Sequence, residues 1–205
     1  MTYPIHPNIA RWQLRSCSLE LGQRTRIMGV VNITPDSFSD GGLFLEPEAA
    51  IAHALRLLEE GAEILDLGAE TTRPGSRGTG AAYDYSLVST EEEQARLLPV
   101  LVGILKARPD AILSVDTYKA ATARAALRAG AEIVNDVSGF QWDAEMAAVC
   151  AEFKAGVVLM HTRGRPKEWR TQAQLGPAEL MATVRAGMAA TLTAASAAGI
   201  QPNAV

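Results

Sequence analysis

Four stretches of this chain run from a helix-like segment through a glycine into a short apolar run. They are LEEGAEILDLG around Gly61, LRAGAEIVNDV around Gly130, FKAGVVLMH around Gly156 and SAAGIQPNAV around Gly199. Glycine adopts the left-handed backbone without strain and so ends helices. The runs that follow are too short for helices and do not alternate, which is how strands buried on both faces read. The tetrapeptide Gly-Ala-Glu-Ile occurs twice, 69 residues apart, as a recurring structural unit would have it. A chain of repeated strand, helix and stop lays its strands in parallel and covers them with helices.

The pattern predicts strands near 27–32, 63–68, 111–115, 132–135 and 157–160, and helices near 47–60, 90–107, 118–129, 143–154 and 177–198. Ile51, Leu55 and Leu58 mark the buried face of the first helix, and Ala95, Leu98, Val102 and Leu105 that of the second. Thr90 to Glu93 reads as a capping box, and Pro99 inside the second helix predicts a kink. Five βα units admit a doubly wound sheet or a TIM-type (β/α)8 barrel. No G-x-G-x-x-G follows the first strand, which lowers the dinucleotide-binding alternative. Each strand ends in polar groups: Asn32, then Asp66 with Glu70, then Asp116, then Asn135 and Asp136, then His161. A barrel gathers all of them at its C-terminal mouth, whereas a doubly wound sheet brings only two or three to one crevice. The expected fold class is therefore α/β, a TIM-type barrel of which about five βα units are present.

The 205 residues carry a net charge of −4 and no long Lys/Arg cluster, so neither nucleic acid nor an anionic membrane is an expected partner. Cys17 and Cys150 lack metal spacing and read as unpaired thiols in a reducing compartment. No apolar run approaches the ~18 residues of a membrane span, and the first residues lack the order of a signal peptide. The expectation is one cytoplasmic domain over residues 1–205, with 1–26 forming a hairpin or a cap on the barrel bottom.

The segment NITPDSFSDGG, Asn32 to Gly42, is longer than a turn needs and contains no large aliphatic residue after Ile33. MGVVNITPDSFSDGG, GAEILDLGAETTRPGS, SVDTYKAATARAALRAGAEIVNDVSG and LMHTRGRPKEW resemble, in order, the successive motifs of bacterial dihydropteroate synthases. The resemblance covers roughly Ile27 to Gly199. It implies a transferase of folate biosynthesis that joins 6-hydroxymethyl-7,8-dihydropterin pyrophosphate to p-aminobenzoate, with Mg2+ receiving the pyrophosphate. It also implies catalytic positions at Asn32, Asp36 and Arg73, with Asn32 the metal contact. Phe38, Thr71, Thr72, Pro74, Ser76, Asp116, Asn135, Met160 and His161 become substrate-binding positions. Barrels of this size often pair through outer helices, so a homodimer is the expected assembly if there is one.

A pterin edge offers adjacent N–H donors and a carbonyl acceptor, so its pocket needs a carboxylate that only accepts and an amide that does both. Asp116 and Asn135 suit those roles; taken alone Asp116 reads first as a helix cap and Asn135 as a strand-end contact, and it is the family motifs around them that favour the pterin. Asp66 is balanced between a pocket role and an internal polar contact, Met160 between ring packing and core, and His161 between pocket lining and a satisfied strand end. Arg73, in a Pro-Gly turn between Thr72 and Ser76, suits a departing anion. The nucleophilic aromatic amine is already neutral, so the absence of a catalytic triad is no obstacle. The Gly/Ser/Asp loop suits a bound anion and closure over it, with Phe38 walling the p-aminobenzoate ring.

The sequence departs from the family pattern in a long segment between Ser76 and Thr90 and in having no sixth strand, no later Lys and no closing Arg-x-His before Val205. The expectation is that these 205 residues alone turn over poorly. Two other readings share the barrel: a pterin-dependent corrinoid methyltransferase, which would have no pyrophosphate to clamp, and a noncatalytic pterin-binding fragment.

Overall fold

The computed structural model describes residues 10–33, 47–70, 88–169 and 171–205. The expectations for Asp36, Phe38, Thr71, Thr72, Arg73, Pro74 and Ser76 fall outside the described residues.

The chain opens with an antiparallel hairpin, β1 (Ala10–Gln13) and β2 (Ser18–Leu21). Five parallel strands follow: β3 (Met28–Asn32), β4 (Ile64–Gly68), β5 (Ile112–Asp116), β6 (Ile133–Asp136) and β7 (Gly156–Leu159). They are joined by α1 (Pro47–Glu59), α2 (Thr90–Ala107), α3 (Ala120–Ala129) and α4 (Met146–Phe153), and α5 (Pro177–Ala197) follows β7. The sheet order is the chain order, β3-β4-β5-β6-β7, with no reversal. A doubly wound sheet reverses at its switch point, so sequential order is the arrangement of a barrel wall.

The two faces of the sheet have different partners. Val31, Leu65, Leu67, Leu113, Val115, Val134 and Val157 point to the helices and form the main core with them. The opposite face is layered from bottom to top by the register. Met28, Ile64 and Ile112 form one row, Val30, Asp66, Ser114, Ile133 and Gly156 the next, and Asn32, Gly68, Asp116, Asn135 and Val158 the last. The lowest residues meet the hairpin through Leu14, Leu19 and Trp12. Arg15 lies 3.3 Å from Glu132, which also accepts from the Ser16 amide at 2.7 Å and the Ser16 hydroxyl at 2.6 Å. The hairpin is thus fixed under the sheet by both apolar burial and a neutralised carboxylate.

Three details of the sequence reading are corrected. The helix α4 stops at Lys154, which is left-handed at φ 53°, and Gly156 is the first residue of β7. Gly156 is glycine for space: a Cβ there would stand 2.6 Å from Leu14 Cδ2. The cap of α2 is Ser89, whose hydroxyl accepts from the Glu92 amide at 3.1 Å, so the helix starts at Thr90 itself, the residue expected to be the cap. The buried face of α2 is Glu93, Leu97, Val100, Leu101 and Ile104, while Val102 is 52% exposed. Pro99 lies inside the helix on its exposed side, as does Ala95, the residue whose carbonyl loses its usual partner there, so water can serve that carbonyl.

Candidate functional site

The last register row places three of the described candidates side by side at the C-terminal end of the sheet. Asn32 ends β3, Asp116 ends β5, and Asn135 sits one residue before the end of β6. Gly68 lies between Asn32 and Asp116, where a Cβ would come to 3.5 Å from Asp116 Oδ2. The strand residue without a side chain therefore leaves an open cradle beside the carboxyl.

Asp66 and Asn135 belong to β4 and β6, which are separated by β5 and would lie about 10 Å apart in a flat sheet. Their side chains nevertheless meet, with Asn135 Nδ2 donating to Asp66 Oδ2 at 2.9 Å. The sheet is therefore curled, and this face is concave. An ionised carboxylate only accepts, so it selects the amide NH2 and leaves Asn135 Oδ1 unengaged. Asp66 is an internal polar contact that aims a candidate binding group. Its other oxygen, Oδ1, is buried without a partner, and burial raises its pKa despite Asn135 and Ser114.

Asp116 caps nothing. The N-terminus of α3 is served instead by Thr117 Oγ1, which accepts from the Lys119 amide at 3.1 Å, and by Asp143 Oδ2, which accepts from the Ala120 amide at 2.8 Å. Burial, with the surrounding charges of Asp66, Glu93, Asp136 and Glu70, pushes the Asp116 carboxyl up to about 8. The unliganded chain therefore favours its protonated form well above the usual carboxylate range.

Met160 follows β7 with its side chain 42% exposed. His161 is not at the same surface. Both its ring nitrogens are buried without partners, and the ring packs where a side chain at Gly187 of α5 would stand. The structure thus brings Asn32, Asp116 and Asn135 together and turns His161 toward the helix layer.

Asp136 and Glu70, both expected at this end as strand-terminal polar groups, serve the fold. Asp136 accepts from the Ser138 and Phe140 amides, both at 2.8 Å, and so shapes the loop after β6. Lys119 pairs with Glu70 and lies 3.2 Å from Glu93 Oε2, and Tyr118 donates to Glu70 at 3.1 Å. Of this cluster the sequence reading had Glu70 at a strand end and Glu93 in the expected capping box, and nothing in it marked Lys119.

A concave parallel sheet that presents a carboxyl and the remaining oxygen of an amide at its C-terminal end places the chain among the barrel-type α/β proteins, whose sites lie at that end. The profile of the pterin binding enzymes matches residues 28–205, and the chain belongs to that family. Among its relatives, the dihydropteroate synthase of Clostridium beijerinckii is 43% identical over 151 residues, 74% of this chain and 52% of that protein. The Xanthomonas albilineans dihydropteroate synthase solved with 4-aminobenzoic acid superposes with a TM-score of 0.78 at 38% identity, over 96% of this chain and 64% of that one. The same enzyme in complex with 7,8-dihydropteroate gives 0.73 at 36% identity, over 93% of this chain and 62% of that one. The chain spans about half the length of the curated relatives it matches. Its five βα units are those of a TIM-type barrel, as the sequential strand order requires.

Proposed function

We propose that this chain carries the pterin side of a dihydropteroate synthase site. The reaction joins 6-hydroxymethyl-7,8-dihydropterin pyrophosphate to p-aminobenzoate and gives 7,8-dihydropteroate and pyrophosphate. The observation that carries the reading is the row Asn32, Gly68, Asp116 and Asn135, in which the Asp116 carboxyl has no hydrogen bond among the described residues and Asn135 keeps its Oδ1 after donating to Asp66. Relatives solved with 4-aminobenzoic acid and with 7,8-dihydropteroate support the substrate pair.

In this reading the Asp116 carboxylate accepts the ring N–H and the exocyclic amine, and Asn135 Oδ1, aimed by Asp66, takes a further donor. The cradle over Gly68 admits the flat ring between Asn32 and Asp116. The amine nitrogen of p-aminobenzoate attacks the exocyclic methylene carbon, the C–O bond to pyrophosphate breaks, and the ammonium product releases its proton. The amine needs no strong base, so the chain's task is orientation and stabilisation of the leaving anion. Arg73 is assigned the anion, with Asp36 a further catalytic group of the first loop. By the family resemblance Thr71, Thr72 and Ser76 are assigned substrate hydrogen bonds beside Arg73, Pro74 the turn that presents it, Phe38 the benzoate ring and Met160 the pterin.

Mg2+ fits this site only in a particular way. Among the described residues no three His, Cys, Asp or Glu side chains converge on a common point. Asn32 offers one amide oxygen, and magnesium commonly takes one or two protein ligands with the rest from substrate phosphates and water. Asn32 would therefore hold a metal that arrives on the pyrophosphate, where it would neutralise charge on the leaving group. The free thiols of Cys17 and Cys150 support placing this reaction in the cytoplasm.

Calorimetric titration with 6-hydroxymethylpterin tests the reading. One site is expected in the wild type, and Asp116→Asn should weaken it. An unchanged affinity in a folded variant removes Asp116 from the pocket. Release of pyrophosphate that depends on p-aminobenzoate, measured beside the Clostridium beijerinckii enzyme, then separates binding from turnover.

A further inference from the structure

Lys119 is joined to three elements at once. Its side chain is 14% exposed and lies between the Glu70 carboxylate, 8% exposed, just beyond β4, and the Glu93 carboxylate, 2% exposed, in the first turns of α2. Its backbone is the position before α3, and Thr122 in that helix donates to Glu93 Oε2 at 2.7 Å. Tyr118 beside it donates to Glu70 at 3.1 Å, and the Lys119 ammonium stands 4.8 Å from the Tyr118 ring centroid. The chain continues outward from there. Tyr118 meets Trp142 of the loop after β6 edge-to-face at 5.1 Å, and Arg165 of the loop after β7 lies 5.6 Å from the Trp142 ring and donates to its carbonyl at 3.1 Å. Four consecutive βα connections are linked through this ladder. Asp116 is three residues before Lys119, at the start of the same turn.

We propose that Lys119 is a positioning residue for Asp116: by clamping Glu70 and Glu93 it fixes the exit of β5 against the exit of β4 and shields Asp116 from both carboxylates. The inference deepens the pterin-binding reading and rests on it for its functional meaning, while its physical content concerns the unliganded chain.

A buried cation between two buried carboxylates is expensive to make and more expensive to break. Burial opposes the charge of Lys119, but its hydrogen bond to Glu70 and the charges of Glu93 and Glu70 outweigh that, so its pKa is raised. The charges that raise the Asp116 carboxyl are those of Asp66 from β4, Glu93 from α2, Asp136 from β6 and Glu70 beyond β4, all carboxylates. Removing the Lys119 charge leaves Glu70 and Glu93 with only the neutral donors Tyr118 and Thr122, so their negative charge acts on Asp116 uncompensated, and removing the Glu70 charge does the reverse. The two substitutions therefore act on Asp116 with opposite signs, although both delete the same ion pair.

The test is the titration of the Asp116 side-chain carboxyl by 13C NMR in the unliganded 205-residue chain, for wild type, Lys119→Met, Lys119→Arg and Glu70→Gln. The midpoint is expected to rise by about one pH unit in Lys119→Met, to fall by a similar amount in Glu70→Gln, and to stay near wild type in Lys119→Arg, the scale set by one charge at several ångströms. If Lys119→Met does not fold, Glu70→Gln, which keeps shape and hydrogen-bonding capacity, decides alone. No movement in Glu70→Gln, or movement of both variants in one direction, overturns the proposal. The pH midpoint of 6-hydroxymethylpterin affinity should track the NMR midpoint in each variant. A wild type that binds no pterin at any pH defeats the functional reading while the NMR result still decides the positioning.

Discussion

The two ends of the concave face treat polar groups in opposite ways. At the bottom, Met28, Ile64, Ile112 and Ile133 are closed off by Leu14, Leu19 and Trp12 of the hairpin. The buried carboxylate there, Glu132, receives Arg15 and both the amide and the hydroxyl of Ser16. At the mouth, the Asp116 carboxyl has no hydrogen bond among the described residues, Asp66 Oδ1 is buried without a partner, and the charges of four other carboxylates act on Asp116. One end has been completed by the fold, and the other has groups whose partners must come from outside it. Buried polar groups are normally satisfied, so the end where they are not is where a ligand belongs.

The largest effect should come from damage to the completed end. Leu14 is fully buried against Gly156, and Leu14→Ala should cost about 2–5 kcal/mol of stability by leaving a cavity. Denaturant unfolding measures the loss. Pterin affinity of the folded fraction should be unchanged, and a parallel fall in affinity would show that the two ends are not independent.

Asp116→Asn should do the reverse, with pterin affinity reduced by roughly 1–3 kcal/mol because an amide N–H then faces a donor edge. The same change should stabilise the unliganded chain. The native carboxyl keeps its proton up to about 8, whereas the ordinary carboxyl releases it near 3.8, so between these values the native state binds more protons. Stability therefore falls as pH rises from about 4 to 8, and the penalty is complete above 8. The variant has no such dependence, and its melting temperature should exceed that of the wild type most clearly at pH 9. Pterin affinity of the wild type should climb with pH up to about 8, by at most tenfold per unit. Matching pH profiles for the two proteins would mean that Asp116 is not the group that titrates.

Much of this contrast was legible in the sequence because it lies in periodic and strand-end residues. The five βα units were predicted within a few residues at each end, since Gly61, Gly130 and Gly199 do adopt positive φ where helices stop. Gly156 misled, because a glycine kept for space against Leu14 looks in sequence like one kept for backbone conformation. The face of α2 was misread for a related reason. Glu93 occupies the first position of the buried stripe with Leu97, Val100, Leu101 and Ile104, and counting apolar residues alone shifts the phase past it. Glu93 is tolerated there because Lys119 and Thr122, from another element, complete it. The strand-end residues Asn32, Asp116 and Asn135 could be named from sequence, but the aiming of Asn135 by Asp66 could not, because it crosses an intervening strand and depends on sheet curvature.

Not every polar group near the mouth serves a ligand, and Ser89 gives the contrast its control. Its hydroxyl is engaged by the Glu92 amide at the start of α2. Ser89→Ala should cost about 1 kcal/mol in denaturant unfolding and leave pterin affinity unaltered. A loss of affinity comparable to that of Asp116→Asn would place the start of α2 in the binding site and blur the division between satisfied and waiting groups.

The smallest effect on stability, and the sharpest on the comparison, should come from Gly68→Ala. Gly68 and Gly156 both stand in the sheet without a side chain, one at each end of the concave face. At Gly156 the missing Cβ is occupied by Leu14, so the space belongs to the fold. At Gly68 a Cβ would come to 3.5 Å from Asp116 Oδ2, an ordinary van der Waals contact, and the nearest neighbours are all atoms of that one side chain. Alanine is the better strand residue by roughly 0.5–1 kcal/mol, which its new contact with Asp116 partly offsets, so stability should change by no more than about 0.5 kcal/mol. The methyl group would nonetheless fill the cradle between Asn32 and Asp116 that the pterin ring is assigned. Affinity for 6-hydroxymethylpterin should therefore fall tenfold or more while the unfolding curve stays where it was, since a ring held by close contact cannot give way by a methyl's width. An alanine that binds pterin as well as glycine does would show that the ring lies elsewhere along the mouth, and that Gly68 is a sheet residue of no more consequence than its neighbours.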